Sequence, residues 1–176
     1  MKNHITIGMD LGDKFHIAVV FDSEGNELET TKVTNTKTGV SKFFKPYRSA
    51  QVAIEASTHS PWISRLLNEM GLTVYVGNPR KLRCIWDSID KSDAKDARML
   101  GMVCRLEPRL LHPIHHRSSQ AQADFTTIKS RDMLVKSRTQ LINHVRGIVK
   151  ANGDRLPKCS ATSFANRCGA HISKEL

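Results

Sequence analysis

Four carboxylates stand where the chain can bring acidic side chains to one point: Asp10, Glu55, Asp93 and Asp96. Asp10 closes the strand-like run His4-Ile5-Thr6-Ile7-Gly8-Met9-Asp10, and Glu55 closes the short apolar run Gln51-Val52-Ala53-Ile54. If those two strands are neighbours, both carboxylates emerge at one edge of a sheet. Asp93 and Asp96 fall in Lys91-Ser92-Asp93-Ala94-Lys95-Asp96-Ala97-Arg98-Met99-Leu100, a helical pattern in which a spacing of three sets both on one face. Converging carboxylates repel one another without cations, and hard oxygen ligands suit Mg²⁺ or Mn²⁺. Two such ions about 4 Å apart activate the attacking oxygen and stabilise the leaving oxygen of a phosphoryl transfer. Taken singly, each acid also has an ordinary reading, as a turn cap or as a partner of a helix dipole, and Asp13, Asp22, Asp87 and Asp90 are assigned to it.

The elements that must position these acids follow from periodicity. Phe15-His16-Ile17-Ala18-Val19-Val20-Phe21 is a second strand, and Glu27 to Val33 a third after the turn Asp22-Ser23-Glu24-Gly25-Asn26, so residues 4–33 read as a three-stranded antiparallel meander. Helical spacing follows from Thr38 to Tyr47, then the strand ending at Glu55. A helix from Pro61 to Met70 is stopped by Gly71, and the strand Leu72-Thr73-Val74-Tyr75-Val76 ends at Gly77-Asn78-Pro79. Three antiparallel strands followed by alternating helices and parallel strands predict an α/β fold, a mixed RNase H-like sheet flanked by helices. The expected organisation is a catalytic domain over 1–112, a long helix over 113–153 and a connecting or disordered tail over 154–176.

The net charge of +10 is unevenly placed: residues 105–176 hold 13 Lys/Arg against 5 Asp/Glu, a balance of +8. Fixed positive charge at that density favours a polyanion, since each neutralised phosphate releases counterions. From Arg117 to Asn152, Ile128, Val135, Ile142 and Val149 recur every seven residues beside Leu134, Leu141 and Ile148, which predicts a helix with one apolar stripe and the beginnings of a coiled coil. Lys129, Lys136, Arg146 and Lys150 lie largely off that stripe and, with Arg80 and Lys81, are candidate phosphate contacts. His112, His115 and His116 read as a loop entering the long helix, and Cys159, Cys168 and His171 do not have the spacing of a structural zinc site. No apolar run reaches the roughly 20 residues that span a bilayer, and the N-terminus leads straight into a strand, so a cytoplasmic protein with no membrane partner is expected.

The ordered set Met9-Asp10-Leu11-Gly12-Asp13-Lys14, Ile54-Glu55-Ala56-Ser57, Asn78-Pro79-Arg80-Lys81 and Lys91-Ser92-Asp93-Ala94-Lys95-Asp96-Ala97 resembles the IS-one-ten insertion-sequence family of DEDD transposases, over about residues 4–158. The resemblance implies a RuvC-like domain, a coiled-coil segment and a separate C-terminal domain carrying a nucleophilic serine. It further implies DNA recombination guided by a structured RNA, and assigns Asp10, Glu55, Asp93 and Asp96 to the metal site. Ser57-Thr58-His59 departs from the Thr-Gly-small sequence common in the family. After Leu156-Pro157-Lys158 little sequence is left for the serine domain, so a fragment or truncated product is expected, and the nucleophile is not transferred to Ser160 or Ser163. The rival readings are a RuvC-like resolvase or nuclease that activates water with the same acids, and a non-catalytic nucleic-acid-binding oligomerisation module. An actin-like ATPase, which shares Asp-Leu-Gly on its phosphate loop, is disfavoured by Asp13-Lys14 and by a length too short for two lobes.

Overall fold

In the computed structural model, which describes residues 5–82 and 92–172, the meander is built from β1 (Thr6–Asp10), β2 (Phe15–Phe21) and β3 (Glu27–Thr34). Asp22 closes the β2–β3 turn by accepting three backbone N–H bonds, from Glu24, Gly25 and Asn26, at 2.7–2.9 Å. The readings placed on His4, Asp87, Asp90 and Lys91 lie outside the described residues.

After α1 (Lys37–Phe44) the chain enters β4 (Gln51–Glu55), which lies parallel to β1, and after α2 (Ser60–Glu69) it enters β5 (Thr73–Gly77), parallel to β4. The sheet order is β3-β2-β1-β4-β5, with the first two pairings antiparallel. This is the RNase H-like arrangement. Proline early in α2 suits a position whose N–H has no helical partner, and Gly71, at φ +87, ends the helix with a left-handed residue.

Strand alternation sorts the core into two layers. Ile7, Met9, Ala18, Val20, Val52 and Ile54 pack with Val40 and Phe44 of α1 and Ile63 and Leu67 of α2. The opposite face, with Val19, Phe21 and Ala53, receives Ala97, Leu100, Val103 and Cys104 of α4 (Asp93–Leu106). There the helix backbone rests directly on β1: a Cβ on Gly8 would stand 2.0 Å from the Ala97 carbonyl oxygen and 2.3 Å from the Gly101 nitrogen. Arg98 ties the same helix to β3 through two bonds to the Glu27 carboxylate, at 2.7 and 3.1 Å. A short α3 (Pro79–Leu82) follows β5, and a 3₁₀ turn (Pro108–Leu111) buries Leu111.

The chain divides into two units, residues 1–116 and 117–176. The second consists of α5 (Ser119–Ala151), a 33-residue helix with no buried residue, and α6 (Phe164–Ile172). Ser118 caps α5, its hydroxyl accepting from the Ala121 N–H at 3.2 Å. The helix α6 falls in the stretch read from sequence as a connecting or disordered tail. Arg146 fastens the segment before it, donating to the carbonyls of Leu156 and Pro157 at 3.2 and 3.0 Å, while its guanidinium lies 5.2 Å over the Phe164 ring.

Candidate active site

Alternation fixes where two of the acids point. Asp10 is in phase with Gly8 and Glu55 with Ala53, so both side chains leave the sheet on the α4 face. The parallel register pairs Met9 with Ile54, which makes Asp10 and Glu55 the next residues of adjacent strands. The helix supplies the other two. Two strand residues, Gly8 to Asp10, advance about 6.6 Å, and one helical turn back from Ala97 to Asp93 covers about 6 Å, so close contact at Gly8 carries the start of α4 to the end of β1. Ser92 caps that start, its hydroxyl accepting from the Lys95 N–H at 3.4 Å, with Asp93 and Asp96 in the first turn.

The electrostatics of Asp10 report the convergence. Its carboxyl is pushed up to about 6, first by burial and then by the charges of Asp93, Asp96 and Glu55, against the lowering effect of a hydrogen bond from the Leu11 N–H. Among the described residues no group of three or more His, Cys, Asp or Glu side chains is drawn close enough to hold a metal ion as it stands. The charges of Asp93, Asp96 and Glu55 act on Asp10 at electrostatic range. As a donor set they are all hard oxygens, which fits Mg²⁺ or Mn²⁺ and not a thiolate-seeking metal. Burial pushes the Cys104 thiol up to about 12, so it offers no nucleophile to this face at neutral pH.

The loop after Glu55 is where the sequence departs from the family pattern, and it folds as a serine-closed turn. The buried Ser60 hydroxyl accepts from the Ser57 N–H at 3.0 Å and donates to the Ser57 carbonyl at 2.9 Å. Its one hydrogen is thus used, so His116 Nε2, 3.0 Å away, is the donor in their contact. Spacing gave no sign of this contact, because the two residues are 56 positions apart.

The basic candidates are dispersed. Arg80 and Lys81 are exposed on α3 in the first unit. In the second, Lys129 and Lys136 border a shallow groove on α5 with Asp132, Met133, Ser137 and Gln140, and Lys150 is exposed. Phe125 carries Arg117 at 4.4 Å and Lys129 at 5.4 Å over its ring. Arg146 contacts carbonyls, the Phe164 ring and Cys159 Sγ, at 3.4 Å, within its own unit. Cys159 and Cys168 bring their sulfurs to 3.8 Å, a proximity their spacing did not reveal.

The chain is similar to a probable family 20 transposase of Pseudomonas aeruginosa, 28% identical over 143 residues that cover 81% of this chain and 41% of that protein. It is similar also to an uncharacterized 44.8 kDa protein of insertion element IS116 from Streptomyces clavuligerus, 25% identical over 154 residues, with 84% and 38% covered. The chain spans about two fifths of the length of these relatives. Among solved structures it is similar to Thermus thermophilus RuvC, with a TM-score of 0.42 and 13% identity, covering 58% of this chain and 96% of that one. The family model of the IS110 (IS-one-ten) DEDD transposases matches residues 7–152, a span that takes in Asp10, Glu55, Asp93, Asp96 and the whole of α5, and the chain belongs to that family.

Proposed function

We propose that this chain carries the metal-dependent phosphodiester chemistry of an insertion-sequence DNA transposase, with Asp10, Glu55, Asp93 and Asp96 as catalytic metal ligands. The observation that carries the reading is the parallel β1–β4 register, which sets Asp10 and Glu55 side by side on the face that receives α4, with Asp93 and Asp96 in its first turn; the raised pKa of Asp10 agrees with it. Bound Mg²⁺ or Mn²⁺ supplies charge for the attacking and leaving oxygens of the phosphoryl group. The chain's own part is to hold four carboxylates at one sheet edge, on two rigid strand ends and the first turn of a capped helix. Arg80 and Lys81 in the first unit and Lys129, Lys136 and Lys150 in the second offer charge to phosphates, and Arg146 adds to the charge of the second unit while fastening α6. The partners proposed are DNA, a structured guide RNA, and further copies of the chain joined through α5.

The test is thermal stability against Mn²⁺ and Mg²⁺ concentration. A site that binds only the folded state raises the melting temperature with the logarithm of metal concentration once that exceeds the dissociation constant. The double variant Asp10→Asn with Asp93→Asn is expected to abolish the rise; an unchanged metal response would move the site elsewhere. Metal-dependent cleavage of DNA by this chain separates the enzymatic readings from a non-catalytic binding module.

A further inference from the structure

Asn35 follows β3 and precedes Thr36, the cap of α1. Its side chain reaches the turn that leaves Asp10. Nδ2 donates to the Asp13 carbonyl at 2.8 Å and to the Gly12 carbonyl at 3.3 Å, and its backbone N–H donates to the Lys14 carbonyl at 3.1 Å. One residue therefore satisfies three consecutive carbonyls of a turn 22 positions away. A primary amide has two hydrogens, and both go to carbonyls here, which fixes the amide's orientation. The turn is tightly closed as well, since a Cβ on Gly12 would stand 2.2 Å from the Phe15 carbonyl oxygen.

The same nitrogen lies 3.4 and 3.3 Å from the two ring nitrogens of His59, at the start of α2 and four residues past Glu55. His59 Nε2 is in turn 3.9 Å from Asp13 Oδ1. His16 is fully buried, its ring 6.3 Å from that of His59. The amide of Asn35 thus touches both the turn after one acid and the loop after another.

We infer that Asn35 is a positioning residue for the four-acid site: by holding the Gly12–Lys14 turn and bearing on His59, it sets Asp10 relative to Glu55. This rests on the metal-site reading above. Productive ligand geometry tolerates only about 0.5 Å of displacement, whereas the Asp10↔Ile17 strand pairing does not by itself control the direction in which the chain leaves β1. Losing the Asn35 amide hands the Gly12 and Asp13 carbonyls to water and frees that exit, while the backbone bond to Lys14 remains.

The test is a Mn²⁺ titration of the intact chain, read both by melting temperature and by electron paramagnetic resonance of the free ion. The variants are Asn35→Ala, Asn35→Asp and the control Thr36→Ala. Thr36→Ala removes a neighbouring cap, the hydroxyl that accepts from the Gly39 N–H at 3.0 Å, without touching the turn. The half-saturating Mn²⁺ concentration is expected to rise about tenfold or more in both Asn35 variants. The rise is larger for Asn35→Asp, whose carboxylate confronts carbonyl oxygens. Thr36→Ala should lower the metal-free melting temperature and leave the half-saturation point within about twofold of wild type, below the change expected of an outer-shell partner. Asn35 variants that bind Mn²⁺ like wild type, or no worse than Thr36→Ala, overturn the positioning role alone. A wild-type chain without a saturable Mn²⁺ response that Asp10→Asn with Asp93→Asn removes overturns the metal site and this inference together.

Discussion

Asp10 sits where burial and three other carboxylates oppose its ionisation, and that has a consequence for the metal-free protein. A folded-state pKa raised from 3.8 to about 6 means that its contribution to stability is fully present below the unfolded value and is lost as pH rises through about 6. In chelator, Asp10→Asn is therefore expected to be more stable than wild type at pH 7.5, by at most about 2 kcal/mol once solvent screening is allowed for, with the gap closing near pH 4. Saturating Mn²⁺ should reverse the order. Melting curves from pH 4 to 8 with and without the ion check both signs, and a gap that ignores pH would mean that Asp10 is not the group under strain. The four acids could be singled out in the sequence because their spacing and flanking motifs are local. Asn35 and His59 could not: their roles arise where a β3–α1 junction, a β1–β2 turn and the start of α2 meet, and no window of sequence contains all three.

At the scale of the element, the site depends on how closely α4 approaches β1. Gly8 and Gly101 are the residues that allow it: a Cβ on Gly101 would stand 2.5 Å from the Phe21 ring and 3.0 Å from the Gly8 nitrogen. The atoms facing Gly8 are backbone and cannot rotate away, so Gly8→Ala must push the helix off the strand. We expect a loss of about 3 kcal/mol or more in chemical denaturation, the upper end of overpacking costs, together with loss of the Mn²⁺ response. Gly147→Ala is the opposite case. Nothing lies within 4 Å of a Cβ there, the residue is inside α5, and replacing a helix-interior glycine gains about 1 kcal/mol. The strands of the meander and the long helix were readable because alternation, turn residues and a seven-residue repeat each act over a short stretch. The helix α6 was not, and the contacts that Arg146 makes to Leu156, Pro157 and the Phe164 ring join residues too far apart for a short stretch of sequence to show.

For the molecule as a whole, the second unit combines two surfaces that a lone chain leaves open. Ile128, Leu134, Leu141 and Ile148 are 48–70% exposed along α5, and a helix with no buried residue gains little from its own fold. Pairing that stripe with a second copy is the simplest way to cover it. Leu141→Ala with Ile142→Ala is therefore expected to dissociate an oligomer that light scattering detects for the intact chain; a concentration-independent monomer in both cases would refute assembly through α5. The charged surface makes a separate prediction. Lys129, Lys136 and Lys150 are exposed on the same helix, and ordinary solvated lysines leave binding almost untouched when neutralised. Lysines seated on phosphates behave differently, because each contact releases counterions and adds roughly 0.9 to the slope of log affinity against log salt on duplex DNA. Changing all three to Gln should weaken DNA binding at low salt and flatten that slope by up to about 2.7, with little dependence on sequence. A weakened affinity at unchanged slope would point to a disturbed fold, and an unchanged affinity would return these lysines to the solvent.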